Sequence, residues 1–112
     1  DGVMVGRAAT GRPWLPGAIG RALLEGGEAR DPELSVMVES LIAATEDAAR
    51  LHGEALGVRC MRKHYAAFLD HLFADPAAAK PWKGELCRAS SVAGASAALA
   101  RLPGEAGLRR AA

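Results

Sequence analysis

The chain has 112 residues, 50% hydrophobic and 24% charged, with a formal net charge of +1, which predicts small, globular structure. No apolar run reaches the roughly 18 residues that cross a bilayer, and near-neutral charge excludes a surface that is basic throughout while allowing a local basic face. Two cysteines without CxxC spacing, Cys60 and Cys87, and the absence of a basic-apolar leader at the start predict a reducing cytoplasm, not a disulfide framework.

Five aromatic residues (Trp14, Tyr65, Phe68, Phe73, Trp82) leave the core to Leu, Val, Ile and Ala. The chain opens abruptly on Asp1 and the apolar Val3-Met4-Val5, as a piece of something longer would. Gly2 to Val5, β-branched and bounded by glycines, predicts a buried strand. Prolines and glycines from Gly11 to Gly17 permit at most a helical turn, and Ala18 to Glu25 predicts a short helix stopped by Gly26-Gly27.

Asp31-Pro32-Glu33 reads as a helix start, with Asp31 as the cap and Pro32 at the first helical position. Leu34, Met37, Val38, Leu41, Ile42, Thr45, Ala48 and Ala49 then recur at three- and four-residue spacing to about His52. Gly53 and Gly57 predict a tight connection into a second helix, Val58 to about Phe73, antiparallel to the first. Its apolar side carries Val58, Met61, Tyr65, Phe68, Leu69 and Leu72, and its polar side Arg59, Arg62, Lys63 and Asp70. A poorly patterned stretch around Pro81-Trp82, a short helix near Gly84 to Arg88, and a last helix capped by Ser90 or Ser91 and ending near Leu102 complete the folded part. Residues 103–112 read as a tail.

The first fourteen residues combine a buried strand, Gly6 at its carboxyl end, Arg7, and then a helical turn. Glycine lets a backbone approach a ligand closely, and a guanidinium makes two-point phosphate contacts. In (β/α)8 barrels the phosphate site lies after the last strands, at the N-terminus of a short extra helix. Taken alone, Gly6-Arg7 is a weak signal, better explained as a strand ending in a solvated arginine.

The whole string DGVMVGRAATGRPW is more specific, and it resembles the end of the barrel in bacterial tRNA-dihydrouridine synthases. Gly57-Val58-Arg59-Cys60-Met61-Arg62-Lys63-His64 resembles the Gly-x-Arg-x-x-Arg-Lys-His signature of the same family's helical domain, so the likeness covers residues 1 to about 102. It implies a mainly α fold: residues 1–30 would be the last βα segment of an incomplete FMN-binding TIM barrel, and 31–102 a helical tRNA-binding bundle. It also implies that Gly6 and Arg7 hold the FMN phosphate. The family reduces the 5,6 double bond of a flipped-out uridine, with NADPH as reductant and a cysteine as acid. That cysteine belongs to an earlier barrel segment, so this chain would carry no catalytic residue and be inactive alone. The family often has Trp-Tyr where this chain has Ala67-Phe68, and Tyr where it has His52.

The basic cluster Arg59, Arg62 and Lys63 reads by itself as a solvated face; with the resemblance it becomes, together with His64, a face for the tRNA backbone. His64 equally suits fixing its helix against the barrel. Cys60, His64 and His71 share a flank but supply too few ligands for zinc, and no metal is expected. Trp14 and Trp82 suit pinning loops to helices better than stacking on bases. The parent is expected to be monomeric, with no membrane partner. Two other readings stay open: a stand-alone helical RNA-binding module, and part of a different FMN-dependent barrel oxidoreductase acting on a small molecule.

Overall fold

The longest amphipathic pattern in the sequence becomes the longest helix. In the computed structural model, which describes residues 9–104, the helices are α1 (Leu15–Glu25), α2 (Leu34–His52), α3 (Glu54–Cys60), α4 (Arg62–Leu72), α5 (Pro76–Arg88) and α6 (Val92–Arg101), followed by a 3-10 turn at Leu102–Gly104. No strand is present among the described residues, and none of their helices is long and apolar enough to cross a membrane. The expected strand at Gly2 to Val5, the Gly6-Arg7 pair and residues 105–112 lie outside the described residues.

Met37, Val38 and Leu41 of α2, Tyr65, Phe68, Leu69 and Leu72 of α4, Leu86 of α5 and Leu99 of α6 are buried in one cluster. Three- and four-residue spacing brings each set to one side of its helix, so burial follows directly from the pattern. Among the described residues one buried side chain is polar. Thr45 donates its hydroxyl to the Leu41 carbonyl at 2.8 Å and accepts from Tyr65 Oη at 2.7 Å, so both hydroxyls are satisfied inside the core. Burial raises the Tyr65 pKa, which keeps the phenol neutral.

The predicted second helix is in fact two. Its apolar spacing passes through Met61 without interruption, but the Met61 N–H is shared between the Gly57 and Val58 carbonyls, and the His64 N–H returns to the Met61 carbonyl. The turn tightens there and separates α3, which packs on α2, from α4, which packs on α5. Gly57 is no connector either. It lies within α3, buried, where an added Cβ would come within 2.6 Å of the Ala48 backbone, so its lack of a side chain sets how closely α3 approaches α2. Gly53 alone makes the connection, at φ 87°.

Asp31 does not cap α2. That position falls to Glu33, whose side chain makes no capping bond, and Asp31 is committed elsewhere. The Pro81 stretch is also more ordered than its pattern predicts. Asp75 caps α5 by accepting from the Ala77 N–H at 3.0 Å, and Pro76 occupies the first turn, where no N–H is needed. Helix then runs through Pro81: the carbonyl it leaves without a donor is that of Ala77, an exposed residue, and burial of Ala79 and Leu86 offsets a proline cost of about 3 kcal/mol. At α6 the cap is Ser91, which accepts from the Gly94 N–H at 3.0 Å.

Candidate nucleic-acid interface

His64, Phe68 and His71 follow one another at i, i+4 and i+7 on α4, so they share one face. His64 and Phe68 are turned to the segment before α1, and His71 to Asp31 between α1 and α2. His64 Nδ1 accepts the Gly11 backbone N–H at 3.0 Å. Phe68 meets Trp14 edge to face, with ring centroids 5.8 Å apart. Gly11 has φ 75°, and an added Cβ would fall within 2.6 Å of the Phe68 nitrogen and 2.7 Å of the His64 carbonyl oxygen. Both the backbone angle and the contact therefore require glycine at this position.

The third grip passes through Asp31. Its Oδ1 accepts from an Arg12 guanidinium nitrogen at 2.9 Å and from the Trp14 indole N–H at 2.8 Å, and its Oδ2 lies 2.5 Å from His71 Nε2. Partial burial alone would raise the Asp31 pKa, but the bonds from Arg12, Trp14 and His71 outweigh it and bring the carboxyl to about 2. An ionised carboxylate has no proton to give, so His71 is the donor. Because Nδ1 of His64 accepts from Gly11, that ring carries its proton on Nε2. Burial first, and then the neighbouring Lys63 charge, lower the His64 pKa and favour this neutral form.

The basic residues occupy a different side of the α3–α4 junction. Arg59 closes α3 and is exposed, Arg62 opens α4 half-buried, and Lys63 beside it is exposed. None of the three makes an ion pair among the described residues, whereas Arg12, Arg50, Lys83 and Arg101 are each paired, with Asp31, Asp47, Asp70 and Glu85. Arg62 Nε is buried and has no hydrogen-bond partner within the described residues. Arg59, Arg62 and Lys63 thus place three cations within five residues, without an ion pair among the described residues, on helix ends that bury Val58, Met61 and Tyr65.

Of the sequence-predicted residues, Arg59 stands in the last turn of α3 and Arg62 and Lys63 in the first turn of α4, His64 Nδ1 is bonded to Gly11, and Gly6 and Arg7 lie outside the described residues. Sequence reasoning missed Gly11, Arg12 and Asp31 as parts of the site's support; the presence of Glu33 as a second possible start for α2 was the one signal that Asp31 could be free for other work. Trp14 pins the segment before α1 to α4 as expected, whereas Trp82 stands not in a loop but within α5, with the Arg101 guanidinium 5.4 Å from its ring centroid. Cys60 is exposed and Cys87 half-buried, and no three His, Cys, Asp or Glu side chains converge as a metal-ligand set among the described residues. A cleft of about 300 Å³ beside α1 is lined by Arg21 and Arg30 together with Glu25, Glu28 and Asp31, so its charges oppose one another.

Comparison with known proteins covers nearly the whole chain. The family model described as Dihydrouridine synthase (Dus) matches residues 1–107. Among curated relatives, "tRNA-dihydrouridine synthase B" of Xanthomonas campestris is 39% identical over 64 residues, 57% of this chain and 19% of that protein. The protein of the same name from Pseudomonas putida is 35% identical over 69 residues, covering 62% and 20%. The "Probable tRNA-dihydrouridine synthase" of Rhodobacter capsulatus is 35% identical over 92 residues, covering 82% and 26%. The chain thus spans about a fifth to a quarter of the length of these relatives. No solved structure matches it at a significant level. The family match extends through the Gly11 turn, the helices that grip it and the basic cluster, and the chain belongs to the dihydrouridine synthase family.

Proposed function

We propose that this chain works in an FMN-dependent tRNA-dihydrouridine synthase that reduces uridine in tRNA to 5,6-dihydrouridine with NADPH, in the cytoplasm. Residues 1–30 serve as the last βα segment of an FMN-binding TIM barrel, and 31–102 as the helical domain that holds the tRNA. The donor chemistry of Gly6 and Arg7 suits the FMN phosphate: a backbone without Cβ can approach it, and a guanidinium can fork onto two of its oxygens. Bound FMN supplies the hydride for the uracil 5,6 double bond. Arg59, Arg62 and Lys63 neutralise backbone phosphates, which positions the RNA without reading its sequence. His64 borders this face and has only its Nε2–H left to offer it. The proton comes from a cysteine of the barrel, not from Cys60 or Cys87, which stand on α3 and α5.

The observation that carries this reading is the cluster of Arg59, Arg62 and Lys63, three cations within five residues at the junction of α3 and α4, none of which makes an ion pair among the described residues. The test is dihydrouridine formation on an unmodified tRNA transcript by the full-length polypeptide bearing these residues, supplied with FMN and NADPH. Dihydrouridine should appear only with both present, and much more slowly in a variant with Arg59, Arg62 and Lys63 all changed to Ala. Absence of both turnover and tRNA binding would contradict the proposal.

A further inference from the structure

We infer that residues 9–32 form a strap that lies along α4 and comes off it as one unit while α2 to α6 stay folded. The strap is a piece of its own. Its helix α1 has no extended packing against another helix, and Leu15 and Ala18, though buried, stand outside the central cluster. Ala18 and Ala22 instead line a cleft with Glu28, Arg30, Asp31 and Pro32 of the loop that follows. Asp31 closes this piece on itself, because Arg12 and Trp14, which both donate to it, belong to the strap as well.

Among the described residues three polar or aromatic contacts tie the strap down, and all of them fall on the one face of α4 that carries His64, Phe68 and His71. The Gly11 N–H bonds to His64, Trp14 packs on Phe68, and Asp31 meets His71. Of the whole strap only Trp14 packs against the central cluster. Where the strap joins α2, Glu33 heads that helix without a side-chain cap, so the α4 contacts set the strap's position. Segments with few buried apolar contacts and exposed backbone open at lower free energy than a core. Here Arg21 and residues 23–30 are exposed, Leu24 at 90%. An eleven-residue helix is marginal by itself, so α1 loses its hydrogen bonds once the α4 contacts part. Opening uncovers both imidazoles and an edge of the Phe68 ring on the helix whose first turn carries Arg62 and Lys63. The strap is thus a cover on α4 beside the basic cluster.

The test is native-state hydrogen exchange, followed by NMR on the 112-residue chain. The strap is read at the amides of Gly11, of Ala18, which bonds to the Trp14 carbonyl at 3.1 Å, and of Ala22 within α1. The bundle is read at the amides of Leu41, Leu69 and Leu99, all fully buried. The three strap amides should share one opening free energy, lower than that of the bundle. His71→Ala cuts one α4 contact and leaves Arg12 and Trp14 on Asp31. It should speed exchange at all three strap amides by about tenfold, the scale of one lost hydrogen bond, and leave the bundle amides unchanged. His64→Ala should do the same from the other end of the face, at Ala18 and Ala22 as well as at Gly11. Strap amides that exchange at the bundle's rate, an effect of each variant confined to its nearest amide, or no effect of either variant would overturn the inference.

Discussion

Asp31 Oδ2 and His71 Nε2 lie 2.5 Å apart across forty residues of chain, and the pair fastens the segment before α2 to the last turn of α4. Arg12 and Trp14 join the same carboxylate, so one charge holds three parts of the chain together.

Acid should therefore loosen the molecule in a definite window. The folded Asp31 pKa, about 2, is below its ordinary value of 3.8, so its stabilisation is complete above that value and is lost as pH falls toward 2. After allowance for solvent screening it is worth about 1–2 kcal/mol. Urea unfolding of Asp31→Asn should show a loss of that size at pH 7. The difference from wild type should close near pH 2.

A second titration belongs to His64. Its pKa is lowered from 6.5, and the Gly11 bond needs Nδ1 free of a proton, so this contribution is full above pH 6.5 and is lost as pH falls through the depressed folded value. In an NMR titration the Gly11 amide shift should follow the His64 ring signals. In His64→Asn it should stay flat over the same range.

The buried hydroxyl pair predicts an asymmetry. Tyr65→Phe leaves Thr45 still donating to the Leu41 carbonyl and should cost about 1 kcal/mol. Thr45→Val leaves the Tyr65 hydroxyl buried with no acceptor and should cost more, about 1–3 kcal/mol. Thermal or urea denaturation of the two variants side by side checks the order.

Gly57→Ala should destabilise by about 1–3 kcal/mol, because the new methyl meets the Ala48 carbonyl carbon and oxygen at 2.6 Å, backbone that cannot step aside as a side chain could. Gly53→Ala meets no neighbour within 4 Å, and its cost should come from φ 87° alone. Denaturation midpoints of the two separate crowding from backbone strain.

The helical periodicity of α2 and the buried face of α4 were legible because burial repeats the 3.6-residue period directly, and Ser91 was legible because a capping hydroxyl acts within three residues. What escaped depends on partners far away in the chain. Asp31 before Pro32 has the same local signature whether it caps a helix or receives Arg12, Trp14 and His71. The break at Met61 leaves the apolar spacing untouched, since the backbone tightens by one hydrogen bond while the buried positions stay in phase. The stretch around Pro81 and Trp82 reads as poorly patterned because sequence does not show that the Ala77 carbonyl, left without a donor by Pro81, belongs to an exposed residue. At the site, the clustering of Arg59, Arg62 and Lys63 was readable from spacing, while His64's hold on a backbone amide 53 residues away left no trace in the residue types.

The proposed role of Arg59, Arg62 and Lys63 is to meet tRNA backbone phosphates. It is tested most directly by the salt dependence of tRNA binding, comparing the full-length polypeptide with a variant in which all three are changed to Ala. Each lost phosphate contact should make the slope of log K against log salt shallower by about 1, so the triple variant should bind more weakly with a slope smaller by about 2 to 3. An unchanged slope and affinity would contradict the account.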